Sequence, residues 1–143
     1  SGHSKFFNLM CLKGDCHYKL NQNDAALKDF EILNQLDDNS SILHSFIAKV
    51  YLKMNKIKEA EEYVDLAIKI DKLNAHAHKV KGKIFVKKRT LKQAENEFLT
   101  SLELNPSDAK VFLLLGNVYS ELCESTKAKE CYLKCLKLNP ELT

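Results

Sequence analysis

An all-α array of paired helices is the fold class that this chain of 143 residues predicts, and three observations predict it. Small residues recur every 34 positions: Gly116, Gly82, Ala48 and Gly14 form one series, and Ala128, Ala94, Ala60 and Ala26 another. Large residues recur in step with them, as Tyr119, Phe85, Tyr51 and His17, and as Tyr132, Phe98, Val64 and Phe30. Within the copies, apolar residues such as Ala26, Leu27, Phe30, Leu33 and Leu36 are spaced by one helical turn rather than alternating, which places them on one helix face and not on a strand. A fixed period of this length, without insertions, means stacked two-helix units. The units run 7–40, 41–74, 75–108 and 109–142, giving one domain of eight helices and no strands.

In the first unit, Leu9, Met10 and Leu12 form the apolar face of the first helix. The polar run Asn21-Gln22-Asn23-Asp24 ends that helix and opens a second over 25–36. Ser1-Gly2-His3 reads as a cloning remnant and is set aside. The second unit places helices at 42–54 and 58–70, with Asn55 as a left-handed terminator between them. Glu59, Glu61, Glu62 and Asp65 form a solvated outer face on its second helix. In the third unit Thr90-Leu91-Lys92-Gln93 reads as a capping box. Asn105-Pro106 stops the helix that follows, and Asp108 caps the next. The fourth unit closes with a helix over 126–138 and Asn139-Pro140, and Thr143 takes the first position of a further unit.

Composition narrows the class. Apolar residues make up 45% and charged residues 29% of the chain, the balance of an ordinary globular domain. A net charge of +3 is too small to argue for nucleic acid or membrane. Five cysteines without a paired framework point to a reducing compartment, cytoplasmic or nuclear. No apolar run approaches bilayer length, so no membrane contact is expected.

The fourth unit carries Phe112, Leu115-Gly116, Tyr119, Ala128, Tyr132, Cys135 and Pro140 at fixed offsets. With this signature the chain resembles the tetratricopeptide repeat family over 7–140. The third unit departs from the pattern at His78 and Lys81, the second lacks the Gly and the Pro, and the first has His17 for an aromatic. The resemblance implies a right-handed superhelical α-solenoid whose first helices line a concave groove where partners bind. Its best-known groove chemistry is a carboxylate clamp that grips the acidic tail of heat-shock chaperones through Lys, Asn and Arg. Those positions here hold Cys11, Asp15, Phe46, His76 and Val80, or, one unit later, Ser45, Lys49, Val80, Lys110 and Leu114. The clamp is therefore not reproduced.

Nothing in the chain suggests catalysis: it has no glycine-rich phosphate loop, no Gly-x-Ser-x-Gly turn and no His-Glu-x-x-His helix. His17, His44 and His78 fall at packing positions of the repeat. Cys131 and Cys135 lack further ligands at metal-site spacing, so neither metal nor cofactor is expected. One feature exceeds what a scaffold requires. From Lys72 to Lys92 there are eight basic residues and no acidic one. Lys79, Lys83 and Lys87 form a stripe whose like charges repel, at roughly 0.2–0.5 kcal/mol per pair. By the family analogy this stripe faces the groove together with His76, Lys49, Lys53 and Lys110.

The resulting expectation is a non-catalytic protein-interaction scaffold, part of a longer repeat protein, whose Lys-lined groove takes an acidic or phosphorylated peptide. RNA binding is a second class, weakened by the scarcity of aromatic stacking residues beside the lysines. Pure assembly with an empty groove is a third. On the last helix Tyr132, Leu133, Leu136 and Leu138 leave an apolar face, where self-association or further repeats would meet the chain.

Overall fold

The computed structural model describes residues 2–142, with side chains over 5–141; Thr143 lies outside the described residues. Among these there are eight α-helices: α1 (Gly2–Lys19), α2 (Asn23–Leu36), α3 (Ser41–Lys53), α4 (Ile57–Ile70), α5 (Ala75–Lys87), α6 (Leu91–Leu104), α7 (Ala109–Glu121) and α8 (Ser125–Leu138). A 3₁₀ turn, Pro140–Leu142, follows, and no strand occurs among the described residues. The helices pair antiparallel as α1–α2, α3–α4, α5–α6 and α7–α8. They form two compact units that meet in sequence at Lys72 and Leu73, each built of two repeats.

The chain reverses between paired helices by one device used four times. Asn21, Asn55, Arg89 and Cys123, spaced at the repeat period, all have positive φ of 62–64°. At each, two backbone bonds close the helix end, for example Cys123 N–H to the Ser120 carbonyl (3.1 Å) and Glu124 N–H to the Tyr119 carbonyl (2.9 Å). This is the Schellman termination, which satisfies carbonyls otherwise left open at a helix end. Asn55 takes the expected role. Arg89 and Cys123 take the same role without the side chain that would announce it.

First helices start on a side-chain cap, again in register. Ser40 accepts from Leu43 N–H (3.2 Å), Asn74 from Ala77 N–H (3.1 Å), and Asp108, as expected, from Lys110 N–H (3.1 Å). Phe6 occupies that position in the first repeat and has no capping oxygen, so α1 runs on to Gly2 and reaches 18 residues where α3, α5 and α7 have 13. Gly2 and His3, set aside above, are therefore helical. The capping box at Thr90 is not formed. Its hydroxyl donates back to the Phe85 carbonyl (3.2 Å), because Thr90 is already tied into the preceding turn.

Each unit packs its own core. In the first, Ala26, Phe30 and Leu33 meet Leu43, Ile47 and Val50; in the second, Ala94 and Phe98 meet Val111, Leu115, Val118 and Tyr119. Ala26, Ala60, Ala94 and Ala128 are all buried. The glycines are explained by the rings opposite them. A Cβ on Gly14, Gly82 or Gly116 would stand 2.6, 2.5 or 2.6 Å from a ring carbon of Phe30, Phe98 or Tyr132. In the second repeat, where the small residue is Ala48, the large one has shrunk to Val64, and both are fully buried. The two positions share one fixed volume. On α4, Glu62 and Asp65 are exposed while Glu59 and Glu61 are half-buried, so the expected solvated face holds only in part.

Candidate functional site

In the first unit the first helices α1 and α3 lie side by side, which brings Lys49 against α1. Its Nζ reaches Asp15 Oδ1 at 3.5 Å and stands 4.4 Å from the centre of the Tyr18 ring and 5.5 Å from that of Phe46. Lys53 donates to the Tyr18 carbonyl (2.8 Å), with its Nζ 4.2 Å from the same ring. Two ammonium groups thus lie against one aromatic ring, and the attraction of each to the ring is favourable. Burial by itself would raise the Asp15 carboxyl. Hydrogen bonds and charge from Lys19 and Lys49 outweigh it and hold the group below its ordinary value.

In the second unit, Lys79 on α5 pairs with Asp108 Oδ2 at 3.2 Å, ahead of α7 where the exposed Lys110 sits. His76 and Lys83 are half-buried on α5, and Lys87 is exposed at its end. The basic run is therefore not left to repel itself. Asp108 answers Lys79, Glu121 answers Arg89 at 3.0 Å, and Glu95 answers Lys92 at 3.5 Å. Folding does use part of this charge, contrary to the expectation from the run alone. The acids come from outside the run, which is why its local composition hides them.

Asp15, Tyr18 and Asp108 are the residues that reading for lysines misses. A signal for one of them was present: Asp15 and Lys49 are one repeat apart, and adjacent first helices place equivalent positions side by side.

His17, His44 and His78 pack, as their register predicts, and each has a polar partner. His17 is bonded to Asp29 (2.6 Å), His44 to the Ser40 carbonyl (2.7 Å) and His78 to Glu97 (2.8 Å). Cys131 and Cys135 are buried, and burial pushes the Cys131 thiol up. Among the described residues no helix is long and apolar enough to cross a membrane.

Tetratricopeptide repeat patterns match residues 17–84 and 109–142. The chain belongs to the tetratricopeptide repeat family. Its fold is similar to that of a structure from the functional characterization of Pseudomonas aeruginosa pilF, at 22% identity and a TM-score of 0.86 over 98% of this chain. The chain spans 64% of that structure's length. It is also similar to the first tetratricopeptide repeat domain of Spaghetti (RPAP3) bound to the HSP90 peptide SRMEEVD, at 21% identity and a TM-score of 0.72, over 84% of this chain and 95% of that one. YrrB, a repeat protein with an unusual peptide-binding site, is similar at 21% identity and a TM-score of 0.70, over 89% and 66% of the two chains. None of the curated proteins matches the sequence. As a tetratricopeptide repeat, the chain is a protein-interaction module, and its recurring Gly and Ala positions serve packing, the glycines against the rings of Phe30, Phe98 and Tyr132.

Proposed function

We propose that this repeat module is a non-catalytic scaffold that holds an acidic or phosphorylated peptide segment along the lysine-bearing first helices of each unit. The observation that carries the reading is the run of eight basic residues from Lys72 to Lys92, which puts Lys79, Lys83 and Lys87 on α5 with His76 among them, while Lys110 follows outside the run on α7. An ammonium group has three donors. Lys79 is oriented by Asp108 and Lys49 by Asp15, and each would meet an incoming carboxylate or phosphate beside that ion pair. Each such contact at a wet surface contributes about 0–1 kcal/mol, so affinity comes from several together and weakens with salt.

The RPAP3 relative holds an acidic peptide, but the clamp positions of this chain carry Cys11, Asp15, Phe46, His76 and Val80. That particular peptide is therefore expected to bind weakly. The test is titration of a fluorescent acidic peptide and its phosphorylated form against the module and against a Lys83→Gln, Lys87→Gln, Lys110→Gln variant. Loss of affinity with an unchanged melting curve supports the proposal, and unaltered affinity removes these faces from consideration. Retention of an RNA oligonucleotide with a steep salt slope would move the assignment to nucleic acid.

A further inference from the structure

On the second-helix side of the second unit, a trough of about 310 Å³ lies between α6 and α8. Leu99, Leu102, Phe112 and Cys131 are in its floor, with Lys127 and Lys134 at the rim. Beyond Phe112 the depression continues along α8 to Leu133, Lys137 and Leu138. From Lys127 to Leu138 the trough is on the order of 16 Å long, three helical turns. Leu99 is 40% exposed, unusual for a floor residue.

The repeat architecture does not require this trough, because the first unit fills it. Stepping back two repeats, Cys131 becomes Tyr63, whose ring stacks on Tyr51 at 5.6 Å and lies 5.8 Å from His44. Over the same step Leu99 becomes Glu31, Lys127 becomes Glu59 and Lys134 becomes Leu66. In the second unit a small thiol stands where the first has a phenol, one rim lysine replaces a glutamate, and the other replaces a leucine. The rim lysines lie folded over the floor, Lys127 Nζ 5.5 Å from the Tyr119 ring and Lys134 Nζ 5.9 Å from the Phe112 ring.

We propose that this trough is a docking surface, distinct from the first-helix faces, that takes an acidic amphipathic helix of a partner protein. Its straight apolar floor between two helices accepts the ridge of a third, and a helical partner satisfies its own backbone donors and acceptors. Lys127, Lys134 and Lys137 outnumber the acids beside them, Glu130 on that stretch of α8 and Glu124 at its N-cap, which stands 3.7 Å from Lys127, and they select carboxylates along the ridge. Binding lifts the lysine stems from the rings, replaces them with leucine side chains and pairs the ammonium groups with glutamates.

The probe is a three-turn acetylated peptide with leucines at i, i+3 and i+4 spacing and glutamates elsewhere, beside its lysine-for-glutamate counterpart. Both are titrated at protein concentrations where sedimentation gives the monomer mass. The Glu peptide is expected to bind at least tenfold tighter than the Lys peptide. Cys131→Tyr, which installs the second repeat's own residue, is expected to weaken it at least tenfold with unchanged circular dichroism. Lys127→Glu with Lys134→Glu is expected to reverse the peptide preference and does not depend on accommodating a larger core residue. Equal binding of the two peptides, or full affinity in Cys131→Tyr or in the charge-reversed variant, overturns the proposal. So does loss of Glu-peptide binding in the Lys83, Lys87, Lys110 variant, which would place the peptide on the first helices. A mass that doubles with concentration only while Cys131 is intact would make the occupant a second copy and likewise overturn it.

Discussion

Complementary volumes at single positions hold each repeat together. Gly82 has Phe98 Cε1 at 2.5 Å from where its Cβ would be, and Phe98 is fully buried, so the ring has nowhere to go. Gly82→Ala should cost about 1–3 kcal/mol through overpacking. Phe98→Val should also destabilise, by leaving a cavity. The double substitution recreates the Ala48 and Val64 pairing of the second repeat and should cost less than the sum of the two, a coupling that a urea-unfolding double-mutant cycle reads directly. Asp15 makes a second prediction. Its folded-state carboxyl is held below the ordinary value of 3.8. Its stabilising contribution is therefore present above that value and is lost as the pH falls through the folded-state value. Asp15→Asn should lower stability at neutral pH and flatten the acid limb of a stability-against-pH curve; an unchanged acid limb would refute the pairing with Lys19 and Lys49.

At the scale of the element, helix ends rather than helix interiors carry the information. Register predicts a left-handed residue at Asn21, Asn55, Arg89 and Cys123 alike, although only asparagine adopts that conformation readily. Cys123 is exposed and Arg89 has an ion pair to Glu121, so Cys123 is the cleaner test. Cys123→Gly removes a left-handed cost of roughly 1–2 kcal/mol. It adds about 0.4–1 kcal/mol of unfolded-state freedom. A small net rise in melting temperature is expected, and a fall would mean that the thiol makes a contact worth more than the strain. The start of α1 was not legible from register because Phe6 breaks the series of caps formed by Ser40, Asn74 and Asp108. The capping box at Thr90 failed for the opposite reason: the local motif was present, but the preceding turn had already engaged the hydroxyl.

For the molecule as a whole, exposed large apolar residues occur on several helices, and α1 and α8 each carry a group of them. Leu9 and Leu12 are 65% and 63% exposed, although Leu43 and Val111, the register equivalents of Leu9, are fully buried by the second helix before them. On α8, Leu133, Leu136 and Leu138 remain exposed. These faces have the composition of repeat interfaces. Self-association is therefore expected at high concentration, read as a rising mass in a sedimentation series. Leu133→Lys with Leu136→Lys should return the mass to that of a monomer. A strict monomer at millimolar concentration in the unaltered protein would contradict this.

The sequence by itself determined the repeat length, the helix pairing, the buried alanines and the family, because each of these is a local pattern copied in register and repetition averages out the faults of any one copy. It also exposed the concentration of lysines between Lys72 and Lys92. Only the tertiary structure decided how that charge is used. Asp108 lies 29 residues from Lys79 and Asp15 lies 34 from Lys49, and a carboxylate that far along the chain becomes a neighbour only when first helices stack side by side. The trough beside Cys131 belongs to the same category. A single small residue reads as an ordinary core cysteine until the ring of Tyr63, filling the corresponding space in the first unit, shows what the second unit leaves open.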